Sequence, residues 1–193
     1  MITKPSDAAL IQSYLSGKDM AFEKLFKRYE RPLFSFLLRL SRNQDNTEDI
    51  FQQTWMKVIN GLSGYQERGT FSSWLFGIAY HCFIDQTRKD GRVKIHDQIS
   101  QDGLDQIPDT EVSPEMSLLN VEKKSWMENA IDQLPDEQKQ VVLMRITGDL
   151  PFKEIADIMN CSINTVLGRM HYAVKNLQKM KKDSFEEEVQ YAV

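Results

Sequence analysis

Cysteine is nearly absent from this chain: Cys82 and Cys161 are the two thiols in 193 residues. Far apart and without metal-type spacing, they form neither a zinc motif nor a disulfide framework, and both are expected to be reduced core thiols. Long apolar runs are missing too. No stretch of about eighteen apolar residues occurs, and Met1 to Asp7 lacks an apolar run behind a basic start, so neither a membrane span nor an export signal is expected. That places the protein in the cytoplasm. The chain also lacks a glycine-rich phosphate loop, an H-E-x-x-H pattern and any internal repeat. His81 and Asp85 stand at i, i+4, but two ligands without a third make a poor site, so no metal, cofactor or catalytic centre is expected.

What is present is an ordinary hydrophobic fraction, 41%, sufficient for one large core or two small ones. The net charge of −4 hides an uneven distribution. Residues 1–92 hold 13 Lys+Arg against 10 Asp+Glu, 93–122 hold 1 against 7, 123–182 hold 10 against 7, and 183–193 hold 0 against 4. Two basic lobes are thus separated by an acidic connector and followed by an acidic tail.

Apolar residues from Ala21 to Leu40 recur at Phe22, Leu25, Phe26, Tyr29, Leu33, Phe36, Leu37 and Leu40, the rhythm of an amphipathic helix, with a kink expected near Pro32. A second helix is predicted from an Asn46 N-cap to Leu62, and a third from Thr70 to Lys89. Asp90 to Glu122 has linker composition. Helices return over Trp126–Leu134, from Pro135 to Ile146, over Phe152–Met159 and over Ile163–Lys179, the last two with the layout of a helix-turn-helix. Small Ala156 suits a close helix crossing, and Ile155, Ile163 and Val166 are candidate core contacts. No strand is expected, and the tail from Asp183 is read as disordered or as folding back on the basic C-terminal lobe.

The stretch Gly69-Thr-Phe-Ser-Ser-Trp-Leu-Phe-Gly-Ile-Ala79, continued by Ile84-Asp-Gln-Thr-Arg-Lys89, sets aromatics beside cations on one helix. Aromatic faces stack on unpaired bases at about 1–3 kcal/mol each, while lysine and arginine follow phosphates. Together with Asn46-Thr-Glu-Asp-Ile-Phe-Gln-Gln-Thr-Trp55 and the C-terminal helix-turn-helix, this stretch resembles the small extracytoplasmic-function (ECF) group of bacterial RNA polymerase sigma factors. The resemblance spans about Leu15 to Lys182. It implies an all-α chain of two small helical domains, 1–92 and 123–182, joined by a flexible acidic linker, 93–122, and trailed by an acidic tail, 183–193.

The resemblance also implies partners. Glu48, Asp49, Gln52 and Gln53 match the segment that docks on the clamp helices of the polymerase beta-prime subunit, with Gln53 standing where relatives carry an acid. The C-terminal domain would meet the beta flap. The pocket for an extruded base of the minus-10 element falls among Gly61, Tyr65, Phe76, Ile78, His81 and Asp85, with Arg88 and Lys89 on the basic end of the same helix. Trp74 fits either the core or this stacking platform. His81 replaces a frequent asparagine, which leaves the selected base open. In the recognition helix, Asn164, Thr165, Gly168, Arg169 and Tyr172 are the exposed candidates for the minus-35 element. Leu167 replaces a base, Gly168 a serine and Tyr172 an arginine of the usual pattern, so weak, salt-tolerant binding is expected. An anti-sigma partner is common in the group, and the catalytic magnesium belongs to the polymerase.

The linker relaxes to roughly 30 Å and extends to about 100 Å, against promoter elements on the order of 54 Å apart, so it must be stretched. It would follow the basic RNA-exit path or act as a solvated tether. Two rival readings remain: a plain helix-turn-helix regulator, which would bind duplex tightly alone, and a nucleic-acid enzyme using His81 and Asp85, which would turn over alone.

Overall fold

The computed structural model describes residues 4–66, 69–91 and 121–191, the side chains of 121–124 and 185–191 excepted. Among the described residues eight α-helices follow one another: α1 Asp7–Leu15, α2 Asp19–Ser41, α3 Gln44–Gly61, α4 Phe71–Lys89, α5 Val121–Asp132, α6 Asp136–Thr147, α7 Phe152–Met159 and α8 Ile163–Tyr191. A 3₁₀ turn, Leu62–Gly64, follows α3, and no strand occurs among the described residues. Two compact units emerge, one of Met1–Val93 with Leu143–Ile163, the other of Lys94–Val142 with Asn164–Val193.

The first unit is built on α2, α3 and α4, which pack on one another around Leu33, Phe36, Leu37, Ile50, Val58, Leu75 and Phe76. Thr47 and Thr54 enter this core fully buried and are satisfied locally. Thr47 Oγ1 donates to the Asn43 carbonyl and Thr54 Oγ1 to the Ile50 carbonyl, both at 2.7 Å, which removes the cost of burying a hydroxyl unpaired. Pro32 lies inside α2, which continues through it to Ser41.

Helix α1 was not anticipated from the sequence. Ser6 caps it by accepting from the Ala9 N–H, and Asp7 ties it to α2: Arg28 pairs with its carboxylate and Tyr29 Oη donates to it at 2.6 Å. Burial first, then that hydrogen bond, pushes the Tyr29 phenol pKa well up. The α3 start is shifted from expectation, because Asn43, not Asn46, is the cap; its side chain accepts from the Asn46 N–H at 2.9 Å. Thr70 caps α4 as expected, accepting from the Ser73 N–H.

Still within this unit, Ser72 Oγ of α4 donates to the Gly148 carbonyl at 2.7 Å, and Gly77 makes room for Ile158 of α7. The turn before α7 is pinned by Arg145, which donates to Asp149 Oδ1 and to the Leu150 carbonyl and lies over the Phe152 ring. Asn160 ends α7 at φ 51°, a left-handed conformation that asparagine tolerates.

In the second unit, Trp126 Nε1 donates to Ser184 Oγ at 3.0 Å and Asn176 Nδ2 to Gln138 Oε1 at 2.9 Å, fastening α5 and α6 to α8. Buried Lys139 is paired with Asp132 at 3.0 Å. Three expectations fail here. The tail is not a separate segment, since α8 runs on to Tyr191; α5 begins at Val121, inside the expected linker; and Ile163 is 45% exposed rather than core. Ile155, Ala156 and Val166 are buried as expected. Of the thiols, Cys82 is buried and Cys161 half-buried, and neither is in a disulfide. The linker stretch 92–120 lies outside the described residues.

Candidate polymerase and promoter surfaces

Helix α3 turns Ile50, Trp55 and Val58 inward, and the opposite face is left with Glu48, Asp49, Gln52 and Gln53, all exposed. Gln44 Nε2 donates to Glu48 Oε1 at 3.1 Å, an i, i+4 bond that steadies the first turns. Sequence reasoning missed the second wall of this surface. Glu30, Arg31, Phe34, Ser35 and Leu38 of α2 face Glu48, Phe51 and Gln52 of α3 across an open groove of about 580 Å³. Exposed Glu30 and Arg31, then Ser35 four residues and Leu38 seven residues after Arg31, were the signal available along α2. The stripe also continues past the expected residues into Met56, 65% exposed.

At the far end of α3 a ring cluster forms. Tyr65 lies 4.9 Å from Trp74 and 5.8 Å from Phe71, Phe71 lies 5.7 Å from Trp74, and Tyr29 closes on Phe71 at 5.4 Å. Tyr65 is therefore not a loop ring short of packing partners; it is half-buried against two aromatics. Tilted and edge-on pairs of this kind add about 0.5–1.5 kcal/mol beyond area burial. Trp74 is half-buried as well, seated over Gly61, where a Cβ would come within 3.0 Å of its Cζ2.

From that cluster α4 carries Ile78, half-buried, then exposed His81, Asp85, Arg88 and Lys89. The His81 Nδ1 lies 2.7 Å from the Gly77 carbonyl, which can only accept, so Nδ1 carries a proton and a neutral ring presents Nε2 outward as an acceptor. Phe76 must be withdrawn from the expected pocket. Its ring is fully buried, 5.1 Å from Phe36, because position 76 falls on the face of α4 that meets α2. No group of three or more potential metal ligands occurs among the described residues.

On α8, Asn164, Thr165 and Tyr172 are exposed, and Gly168 is half-buried. Arg169 departs from the expected posture of a free reading head: its Nη2 lies 2.8 Å from Glu137 Oε2 and its side chain is 21% exposed. No described helix is long and apolar enough to cross a membrane.

The segments that carry these surfaces match known families. The family model for sigma-70 region 2 matches residues 25–93, and that for sigma-70 region 4 matches residues 124–177. The RNA polymerase sigma factor YlaC of Bacillus subtilis is 29% identical over 168 residues, covering 87% of this chain and 96% of its own. The ECF sigma factor SigW of the same organism is 26% identical over 90% of this chain and 95% of its own. Among solved structures, the sigma factor RpoE of Bartonella quintana, crystallised with the anti-sigma factor NepR, matches with a TM-score of 0.61 and 25% identity over 83% of this chain and 96% of that one. The two regions together take in more than half of the sequence, and this all-helical chain belongs to the ECF group of sigma-70 factors, transcription initiation factors that make and break no covalent bonds themselves.

Proposed function

We propose that the chain, as a sigma factor directing core RNA polymerase to promoters, divides its work among three surfaces. The exposed stripe Glu48, Asp49, Gln52 and Gln53, together with the α2 wall of the neighbouring groove, docks on the beta-prime clamp helices. Tyr65 and Trp74 stack an extruded minus-10 base, whose edge meets His81 and Asp85 with Ile78 beside them, while Arg88 and Lys89 follow the phosphates. Asn164, Thr165, Gly168, Arg169 and Tyr172 approach the minus-35 element, and the C-terminal domain meets the beta flap. The acidic linker spans between the elements. The work is done in the cytoplasm, where the polymerase is.

One observation carries this reading: the Tyr65–Phe71–Trp74 ring cluster sits directly before an exposed, polar-to-basic run on α4. Stacking planes followed by edge-reading groups and cations are what a single strand requires. The structure of the Bartonella factor with NepR supports a further expectation, that a protein anti-sigma factor restrains this chain.

The decisive experiment is transcription by purified core polymerase with and without the chain, with starts mapped across the genome. A discrete promoter set that depends on the chain is expected. Tight, specific duplex binding by the chain alone, with no new starts, would favour a plain regulator.

A further inference from the structure

We infer that Leu167 reads the C5-methyl group of a thymine in the minus-35 element; the inference rests on the proposal that α8 enters the major groove there. Residues 163–182 contain five Lys+Arg and no carboxylate, so this side of the chain is fitted electrostatically to a polyanion. Its leading turns are nonetheless poor in cations. Arg169 is the first, and it is held 2.8 Å from Glu137; Lys175 follows almost two turns later. Ahead of them α8 exposes polar Asn164 and Thr165 together with two apolar side chains, Ile163 at 45% and Leu167 at 36%, one turn apart.

The helix has a clear inner line, Val166 and Ala173, both fully buried. At 100° per residue, Asn164, Gly168, His171 and Lys175 run down the opposite side, and Leu167 flanks that line rather than the core. A leucine there gains nothing from a phosphate. In the major groove the thymine methyl is the apolar feature that distinguishes one base from the rest, and an aliphatic side chain is its natural contact. Leu167 thus supplies sequence preference where a cation would supply sequence-blind attraction.

The test uses the holoenzyme on a promoter whose minus-35 element has first been shown to matter by scrambling. Each thymine of that element, on either strand, is replaced singly by deoxyuridine, which removes one methyl group and alters no Watson–Crick pairing. Wild type should lose binding by about fourfold at one position, the factor that burial of a single methyl corresponds to. Leu167→Ala holoenzyme should bind the parent promoter more weakly and be indifferent to that replacement, while Leu167→Met should retain part of the sensitivity. Thermal unfolding of the free variants checks that the fold is intact. Insensitivity of wild type to every replacement, or equal sensitivity in Leu167→Ala, overturns the assignment. If scrambling the element has no effect, the failure belongs instead to the docking of α8.

Discussion

The two matched regions are held together by different chemistry. Region 2 is rich in rings: Phe26, Phe34, Phe51 and Trp55 meet edge-on or tilted between α2 and α3, Phe36 meets Phe76 between α2 and α4, and Phe71 meets Trp74 within α4. Region 4 buries aliphatic residues, among them Ile131, Leu134, Val141, Val142, Leu143 and Ile155, and among its described residues one ring pair occurs, His171 with Tyr172. The contrast follows the task. A surface that must accept an unstacked base needs wide flat faces, and on the proposed reading half-buried Tyr65 and Trp74 supply them. A helix that enters an intact groove needs only a firm aliphatic seat and exposed tips.

Several changes would break or sharpen this contrast. The largest effect belongs to Asp49→Arg, which reverses charge at the centre of the α3 stripe. Affinity for core polymerase should fall on the order of a hundredfold with helicity unchanged; an unaltered pull-down would remove α3 from the docking surface. Next comes Tyr65→Ala. Losing one stacking partner worth about 1–3 kcal/mol should cut open-complex formation by roughly ten- to a hundredfold while polymerase binding is spared. A drop in melting temperature that accounts for the defect would make Tyr65 purely structural.

His81→Asn should leave the overall rate within a few fold and change which minus-10 base is preferred, because the outward acceptor is replaced by a carboxamide that both donates and accepts. A promoter library transcribed by both proteins measures it, and identical preferences would take His81 out of base reading. Smaller still is Glu137→Gln. An exposed ion pair is worth about 0–1 kcal/mol, so releasing Arg169 should strengthen minus-35 binding by no more than about fivefold. Arg169→Ala should weaken it, uniformly across sequences for a phosphate contact and at one position for base readout.

The smallest expected effect is a pH dependence. The Tyr29 phenol is raised by burial and by Asp7, so the folded chain keeps this proton after the unfolded chain has released it. Its contribution is complete below about pH 10 and is lost as pH climbs beyond that value. Tyr29→Phe should flatten the alkaline fall of stability, which thermal melts from pH 8 upward would reveal.

How far the sequence could be read varies with the kind of information each residue carries. Helices α2, α4, α6 and α7 were legible because their apolar residues repeat at helical spacing and their ends carry Thr70, Pro135 or Asn160. Helix α1 was overlooked although Ser6 and Asp7 are a cap and a first-turn acid, since nine residues give too little periodicity. Asn43 and Asn46 are both good capping residues, but only Asn46 has an acid, Asp49, three residues on, so pattern alone favoured the wrong one. The α8 extension was misread because an acidic run looks like a solvated tail, whereas glutamate is a good helix former. For the site, a motif gave positions but not directions: Phe76 points into the core beside His81's exposed turn. The Arg169–Glu137 pair and the Asp7 tie are long-range and leave no local mark.

Gly61 gives the ring cluster an evolutionary handle. Its missing Cβ is what lets the Trp74 indole lie flat over the end of α3, with 3.0 Å from the ideal Cβ position to Cζ2. A glycine codon becomes an alanine codon by one nucleotide change, and the added methyl would oblige the indole to yield by a few tenths of an ångström. On the proposed reading, promoter melting would be open to retuning in a single genetic step, through a backbone position that touches the stacking indole itself and lies outside the stripe assigned to the polymerase contact.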